Sequence, residues 1–304
     1  YSLNLHNEIN LSIIDIRDFI KLKKKLNVIK PQILFHLAAQ PLILDSYDKP
    51  FETYQINTLG TLNILEILKS TKFIKSAILV TSDKCYKSNS STLGFKEEDK
   101  LGGEDPYSGS KACAEIITNT YYQSYFKKRK IGIATARAGN VIGGGDWSQN
   151  RLIPDCINSI MGNKKIRLRN PNFNRPWQHV LEPLNGYLML AEKLYKNPNK
   201  YSGGWNFGSK KNTITNVLTI VTRIVKKWGS GKITYKKKKY YEQANLQLNI
   251  QKSQKNLKWQ PKLSIMKSVD LTIDWYKSVL IKKKNVKNIT KDQIYSFMNE
   301  KKNS

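Results

Sequence analysis

The segment Pro106-Tyr107-Ser108-Gly109-Ser110-Lys111 sets a phenol and an ammonium four residues apart at the start of a predicted helix, so both side chains share one face. A lysine cation beside a phenol favours the phenolate and draws its pKa down from about 10 toward neutrality, making tyrosine a general base for an alcohol. On its own the pair carries little, because Tyr-x-x-x-Lys arises by chance on many helix surfaces. Upstream, however, an apolar run at 77–80 ends in Thr81-Ser82-Asp83-Lys84. A hydroxyl there can hydrogen-bond the same alcohol. Lys84 is either a base with a depressed pKa or a charge partner that holds Asp83.

These groups need a scaffold that brings them together. Residues 33–37 form a short apolar run between Pro31 and the small pair Ala38-Ala39, which suits a buried parallel strand ending at a functional loop. Over 50–70 the apolar spacing of Tyr54, Leu62, Leu65 and Leu68 is helical, and 77–80 reads as the next strand. A helix over 110–126 and a strand over 131–136, ending in Arg137-Ala138-Gly139-Asn140, repeat the pattern. Such alternation predicts an α/β fold with a doubly wound, mostly parallel, Rossmann-like sheet. Ligands of these sheets bind beyond the carboxyl ends of the strands, so the loops at Ala38, Ser82 and Arg137 should line one cleft. After Gly145 the chain turns richer in Pro, Asn and Arg. The division expected is a dinucleotide domain of 1–140 joined by 178–208, a smaller substrate lobe of 141–177 and 209–280, and a lysine-rich tail of 281–304 with at most a helical turn at 294–298.

Length and composition fit this picture and exclude others. The chain has 304 residues, is 39% hydrophobic and 25% charged, and holds no apolar run near the ~20 residues of a membrane span. Cys85, Cys113 and Cys156 have neither metal-ligand nor redox spacing and read as reduced thiols of a cytosolic protein. The net charge of +29 is the feature a nucleic-acid binder would also show. Its densest runs, at 23–25, 236–239 and 282–284, are separate and avoid the motif-rich middle of the chain, so a solvated lysine surface is expected, with no nucleic-acid and no membrane partner.

Four long motifs in order resemble the extended short-chain dehydrogenase/reductases, and within them the nucleotide-sugar 4,6-dehydratases of the CDP-glucose branch. They are Phe35-His36-Leu37-Ala38-Ala39-Gln40-Pro41-Leu42, Thr81-Ser82-Asp83-Lys84-Cys85-Tyr86, Arg137-Ala138-Gly139-Asn140-Val141-Ile142-Gly143-Gly144-Gly145-Asp146-Trp147, and Arg175-Pro176-Trp177-Gln178-His179-Val180-Leu181-Glu182-Pro183. The resemblance implies a lyase that holds NAD, oxidises the glucose C4 alcohol, eliminates water across C5 and C6 and returns the hydride to C6. The product would be CDP-4-keto-6-deoxyglucose, made in the cytoplasm for deoxysugars of a surface polysaccharide such as lipopolysaccharide O-antigen. It further implies catalytic roles for Ser82, Asp83, Lys84, Tyr107 and Lys111, and cofactor contacts from Asp15, Ile16, Ala38, Ala39, Gln40, Asn57, Tyr107 and Lys111. Substrate contacts would come from Asn140, Arg151 and Arg175, with no metal and a homodimer or homotetramer as the assembly. His179, a lone histidine beside Trp177, is expected to be a satisfied buried residue.

The sequence also departs from that family. No G-x-x-G-x-x-G occurs, and Gly143-Gly144-Gly145 follows a different strand, so the phosphate-cradling turn is expected ahead of Tyr1. Without it the 304 residues are expected to hold NAD poorly and to leave a sheet edge open. The better-known dTDP-glucose enzymes carry a glutamate where Lys84 stands, whereas the CDP-glucose branch has the lysine. Competing readings are a 4-epimerase, which needs no acid at C6 and so no Asp83, a non-catalytic sugar-nucleotide-binding fragment, and a polyanion binder resting on residues 235–241.

Overall fold

The computed structural model describes residues 3, 5–87, 94–210, 215–235 and 247–300. Helix α1 (Phe19–Ile29) starts where the Asp18 side chain accepts the Lys21 N–H, and ends at Lys30 in the left-handed region, φ 50°. Strand β1 (Ile33–His36) follows. Helices α2 (Ile43–Asp48) and α3 (Pro50–Tyr54) lead into a wide turn, Gln55–Leu59, that runs on as α4 (Gly60–Ser70). Strand β2 (Ser76–Val80) is buried, and a tight turn at Asp83–Cys85 caps it. Helix α5 (Pro106–Tyr121) precedes β3 (Gly132–Ala138). This helix starts four residues before the 110–126 expected. Pro106 takes its first position and Asp105 accepts the Ser108 N–H at 2.9 Å, a start signal that Asp-Pro offers in the sequence.

The chain continues through β4 (Val141–Ile142), α6 (Leu152–Met161), β5 (Lys165–Leu168), β6 (Asn174–Arg175) and β7 (Gln178–His179). Helices α7 (Leu181–Lys196) and α8 (Pro198–Tyr201) then carry it to β8 (Gly203–Phe207). The main sheet has the order β1-β2-β3-β8 and is parallel throughout, the Rossmann-like arrangement expected. Because successive strand residues face opposite ways, Ala77, Leu79 and Ile133 pack with Ile64, Leu65 and Leu68 of α4 on one face. Ile78, Ala134 and Ala136 pack with Leu190 and Leu194 of α7 on the other.

Residues 215–299 add β9 (Thr215–Asn216), α9 (Val217–Trp228), β10 (Lys232–Tyr235), α10 (Ile265–Leu280) and α11 (Val286–Asn299). A separate core joins Ile153 and Ile157 of α6, Ile166 and Leu168 of β5, Ile220 and Ile224 of α9, and Val269 and Ile273 of α10. The tail differs from expectation: in place of one helical turn it forms α11, whose Val286 and Ile289 pack on that core and whose Phe297 is buried. Polar residues interleaved with these hid their helical spacing. Lys262 Nζ donates to the carbonyls of Phe297 and Met298 and so closes the helix end. The lysine run 236–239 with Tyr240 and Tyr241, and residues 301–304, lie outside the described residues. Among those described, no helix is long and apolar enough to cross a membrane.

Candidate active site

Ser82, Asp83, Tyr107, Lys111 and Asn140 converge beyond the carboxyl ends of β2 and β3. Ser82 Oγ donates to Asp83 Oδ1 at 3.0 Å, and the Ser82 hydroxyl lies close enough to the Tyr107 phenol to lower its pKa. Asn140, held in the left-handed region at φ 50°, points Nδ2 at Asp83 Oδ2, 3.3 Å away. The Asp83 carboxyl is 2% exposed and lies flat against the Gly139 backbone. Burial raises its pKa, while the charges of Lys84 and Arg175 and the Ser82 hydrogen bond pull the other way. The net direction is up, toward a carboxyl that keeps its proton. Lys84 is half-buried beside it.

Tyr107 is placed by its backbone: its N–H donates to Ser46 Oγ of α2 at 3.2 Å, and its carbonyl accepts from Ser110 Oγ at 2.7 Å. Burial pushes the phenol up to about 12, with the Ser82 hydrogen bond and the Arg151 charge drawing it down. This corrects the expectation of a phenol near neutrality through its lysine. Lys111 Nζ donates to the Val80 carbonyl at 3.2 Å instead, and burial of the phenol outweighs charges near it. Burial also pushes Lys111 down to about 8, against the opposing charge of Glu115.

The β1 side holds the other predicted contacts. Asn57 Oδ1 accepts the Gln40 N–H at 2.8 Å, and its Nδ2 donates to the Gln40 carbonyl at 3.0 Å and to Ser110 Oγ at 2.9 Å. One buried amide thus fastens the loop after β1 to α5, from within a wide helical turn of the kind that often accompanies functional sites. Thr61 gives its hydroxyl proton to the Asn57 carbonyl, so His36 Nε2 must be the donor in its 3.1 Å contact with Thr61 Oγ1. Burial beside Lys111 holds His36 neutral, with a pKa down to about 4. Ala38 is exposed and Ala39 partly so, leaving the backbone open to a ligand. Asp15 is exposed and forked onto Arg17 through both oxygens, while Ile16 packs against Gly60, where a Cβ would stand 2.8 Å from Ile16.

On the opposite side Arg175 is 4% exposed, stacks over Phe173 and lowers the Asp83 pKa by its charge, which puts it at the site. Arg151 is more open, pairs with Asp146 at 3.1 Å and reaches Tyr107 electrostatically. His179 is buried and neutral, its Nδ1 accepting the Leu181 N–H at 3.4 Å, but its Nε2 has no hydrogen-bond partner. Sequence reasoning missed Ser46 and Glu115, and it gave no role to Thr81 or Arg137 although it set both at strand ends facing the cleft. A signal existed for one of them, since Glu115 continues the four-residue spacing from Tyr107 and Lys111.

The family profile described as GDP-mannose 4,6 dehydratase matches residues 2–272. The chain belongs to that family. CDP-glucose 4,6-dehydratase of Salmonella typhimurium is 41% identical over 271 residues, covering 87% of this chain and 76% of the relative. Among solved structures, dTDP-glucose 4,6-dehydratase from Bacillus anthracis, in complex with NAD, is 25% identical over 87% of this chain and 78% of its own, with a TM-score of 0.73. UDP-glucose 4-epimerase from Thermotoga maritima, with UDP-glucose, reaches a TM-score of 0.77 at 19% identity, covering 88% of this chain and 84% of its own. Dehydratase and epimerase are thus matched about equally by fold, and function must be argued from the site.

Proposed function

We propose that this protein is an NAD-dependent lyase that dehydrates CDP-glucose to CDP-4-keto-6-deoxyglucose. The observation that carries this reading is Asp83: a buried carboxyl of raised pKa, hydrogen-bonded to the same Ser82 that meets the Tyr107 phenol. An epimerase has no use for such an acid. The 41% identity to the Salmonella enzyme supports the choice of CDP-glucose. Manufacture of deoxysugars for surface polysaccharide in the cytoplasm is part of the same proposal.

The donor set on the β1 side fits a dinucleotide. Ala38 and Ala39 present open backbone, Gln40 is fixed by Asn57, and the Asp15 carboxylate faces solvent. These residues, with Ile16, Tyr107 and Lys111, would hold NAD, which when bound takes the C4 hydride and later gives it back. We assign residues 1–140 and 178–208 to this task, and 141–177 and 209–280 to the sugar nucleotide. The chain's own residues do the rest. Tyr107 in its phenolate form accepts the proton of the C4 hydroxyl, with Ser82 hydrogen-bonded to the same oxygen; the positive charges of Lys111 and of NAD when bound would offset the burial that raises the phenol. Asp83 passes its proton to the C6 hydroxyl as it leaves, and the proton lost from C5 goes to a base, for which Lys84 beside Asp83 is our candidate. Arg175 and Arg151 carry guanidinium groups suited to a diphosphate, and Asn140 orients Asp83 as well as lining the substrate side.

Two variants of the full natural chain test the assignment, each mixed in excess with CDP-glucose, quenched, and reduced with deuteride for mass analysis of the sugars. Asp83→Asn keeps the base for oxidation but cannot deliver a proton, so it should accumulate a 4-keto sugar that retains its C6 hydroxyl. Tyr107→Phe should accumulate none and should slow turnover at least ~100-fold. Unchanged dehydration by Asp83→Asn would remove Asp83 from the mechanism.

A further inference from the structure

One helical turn beyond Lys111, α5 carries Glu115, whose carboxylate is 3% exposed. Each of its oxygens takes two donors. Oε1 accepts from Thr81 Oγ1 at 2.5 Å and from Arg137 Nε at 2.9 Å, and Oε2 accepts from Thr135 Oγ1 and Arg137 Nη2, both at 2.7 Å. Burial pushes this carboxyl's pKa up, but the Arg137 charge and the four hydrogen bonds outweigh burial and hold it below the usual range. Desolvating such a pair costs about as much as the attraction returns, so stability alone is a poor reason for it.

The partners of Glu115 are all neighbours of reacting groups. Thr81 immediately precedes Ser82 and Asp83. Thr135 and Arg137 lie on β3, just before Gly139 and Asn140. Arg137 Nη1 also donates to the Tyr86 hydroxyl at 2.6 Å, tying down the far end of the Ser82 loop. The neighbouring strand makes room for this: a Cβ at Gly204 of β8 would stand 2.6 Å from Arg137 Nη2. One carboxylate therefore fastens together the three segments that carry Tyr107 with Lys111, Ser82 with Asp83, and Asn140.

We propose that Glu115 is a positioning residue of the reaction, which sets the mutual geometry of these three segments and places a carboxylate one helical turn from Lys111. The proposal rests on the dehydratase reading for its kinetic consequences. The groups facing Glu115 are Arg137 from β3, Lys111 on its own helix, Cys85 from the loop after β2 and Lys252 from the segment before α10, and the groups facing Lys111 are Glu115, Cys85 and His36 of β1. Burial keeps the Cys85 thiol and the His36 ring neutral near pH 7, so Glu115 is the negative charge that acts on Lys111. Removing that charge lowers the Lys111 pKa further, and the ammonium is then lost at a lower pH.

The test uses Glu115→Gln, the apolar pair replacement Glu115→Leu/Arg137→Met, and Thr81→Val/Thr135→Val, all in the full natural chain. Glu115→Gln should lower kcat by on the order of tenfold to a hundredfold with KM changed little, and should move the alkaline limb of the pH profile to lower pH. The apolar replacement leaves no unpaired buried charge and should fold, yet keep the low kcat. The threonine pair retains both charges and should lower kcat by about fivefold or more without moving the pH limb. The Lys111 titration, followed by NMR of isotopically methylated lysine, needs no turnover: it should shift down in Glu115→Gln even if the wild type fails to convert CDP-glucose, an outcome that would sink only the dehydratase reading. An unmoved Lys111 titration overturns the charge role. Wild-type kcat in the folded apolar replacement, or in the threonine pair if that replacement does not fold, overturns the positioning role.

Discussion

Gly139 shows how closely a single residue can be held by the chemistry beside it. A Cβ built there would lie 1.7 Å from Asp83 Oδ2 and 2.0 Å from its Cγ, so the carboxyl occupies the space a side chain would take. Gly139→Ala must swing Asp83 out or push the backbone back, at a cost of about 1–3 kcal/mol. The expected outcome is a folded protein with dehydration slowed at least ~10-fold, as misplacement of a reacting group by even 1 Å is that costly. Wild-type turnover in Gly139→Ala would mean that the Asp83 position is not critical. At this scale the sequence was readable where the reacting groups stand close along the chain, as in Thr81-Ser82-Asp83 and Tyr107-x-x-x-Lys111. It was silent on Ser46 and on the Glu115–Arg137 pair, because those contacts join residues that only the folded sheet brings together. It also misled on the phenol, since burial, which a sequence does not display, pushes Tyr107 up to about 12.

Elements are held in register by buried polar groups as much as by apolar faces. Glu182 opens α7, and its Oε1 accepts the N–H groups of Lys262 and Leu263 at 2.8 and 2.7 Å, locking the segment before α10 to the helix that backs the main sheet. Its Oε2 is buried without a partner, and burial pushes the carboxyl up to about 7. An unfolded glutamate titrates near ~4.3, so between that pH and about 7 the folded state binds the proton more tightly. The stabilisation is full below the lower value and is lost as pH rises through the upper one, on the order of 3 kcal/mol. Glu182→Gln stays neutral, so its melting temperature should fall less than that of the wild type between pH ~5 and ~8. Equal slopes would show that Glu182 is ionised in the fold. Among the elements themselves, the buried strands and α4 were legible from apolar runs and spacing. The start of α5 was misplaced because its cap and proline were not weighed, and α11 was missed because polar residues separate its few apolar ones.

The whole molecule joins a parallel sheet, with cores on both faces, to a further core built from α6, α9 and α10. Its net charge of +29 suits a substrate carrying a diphosphate as well as it suits a nucleic acid, and charge alone does not choose between them. Strand β1 is an edge among the described residues, with Ile33 and Phe35 exposed. Neither fold nor charge separates the two enzyme classes, so the proposal rests on the role of Asp83. The most direct test is therefore to incubate the full natural chain with NAD and CDP-glucose in deuterated water and weigh the product. Elimination requires a proton to leave C5 and one from solvent to return there. The account predicts a sugar nucleotide lighter than CDP-glucose by one water, carrying one solvent deuterium at C5, with no net consumption of NAD. A product of unchanged mass, or NAD consumed in step with product, would contradict it.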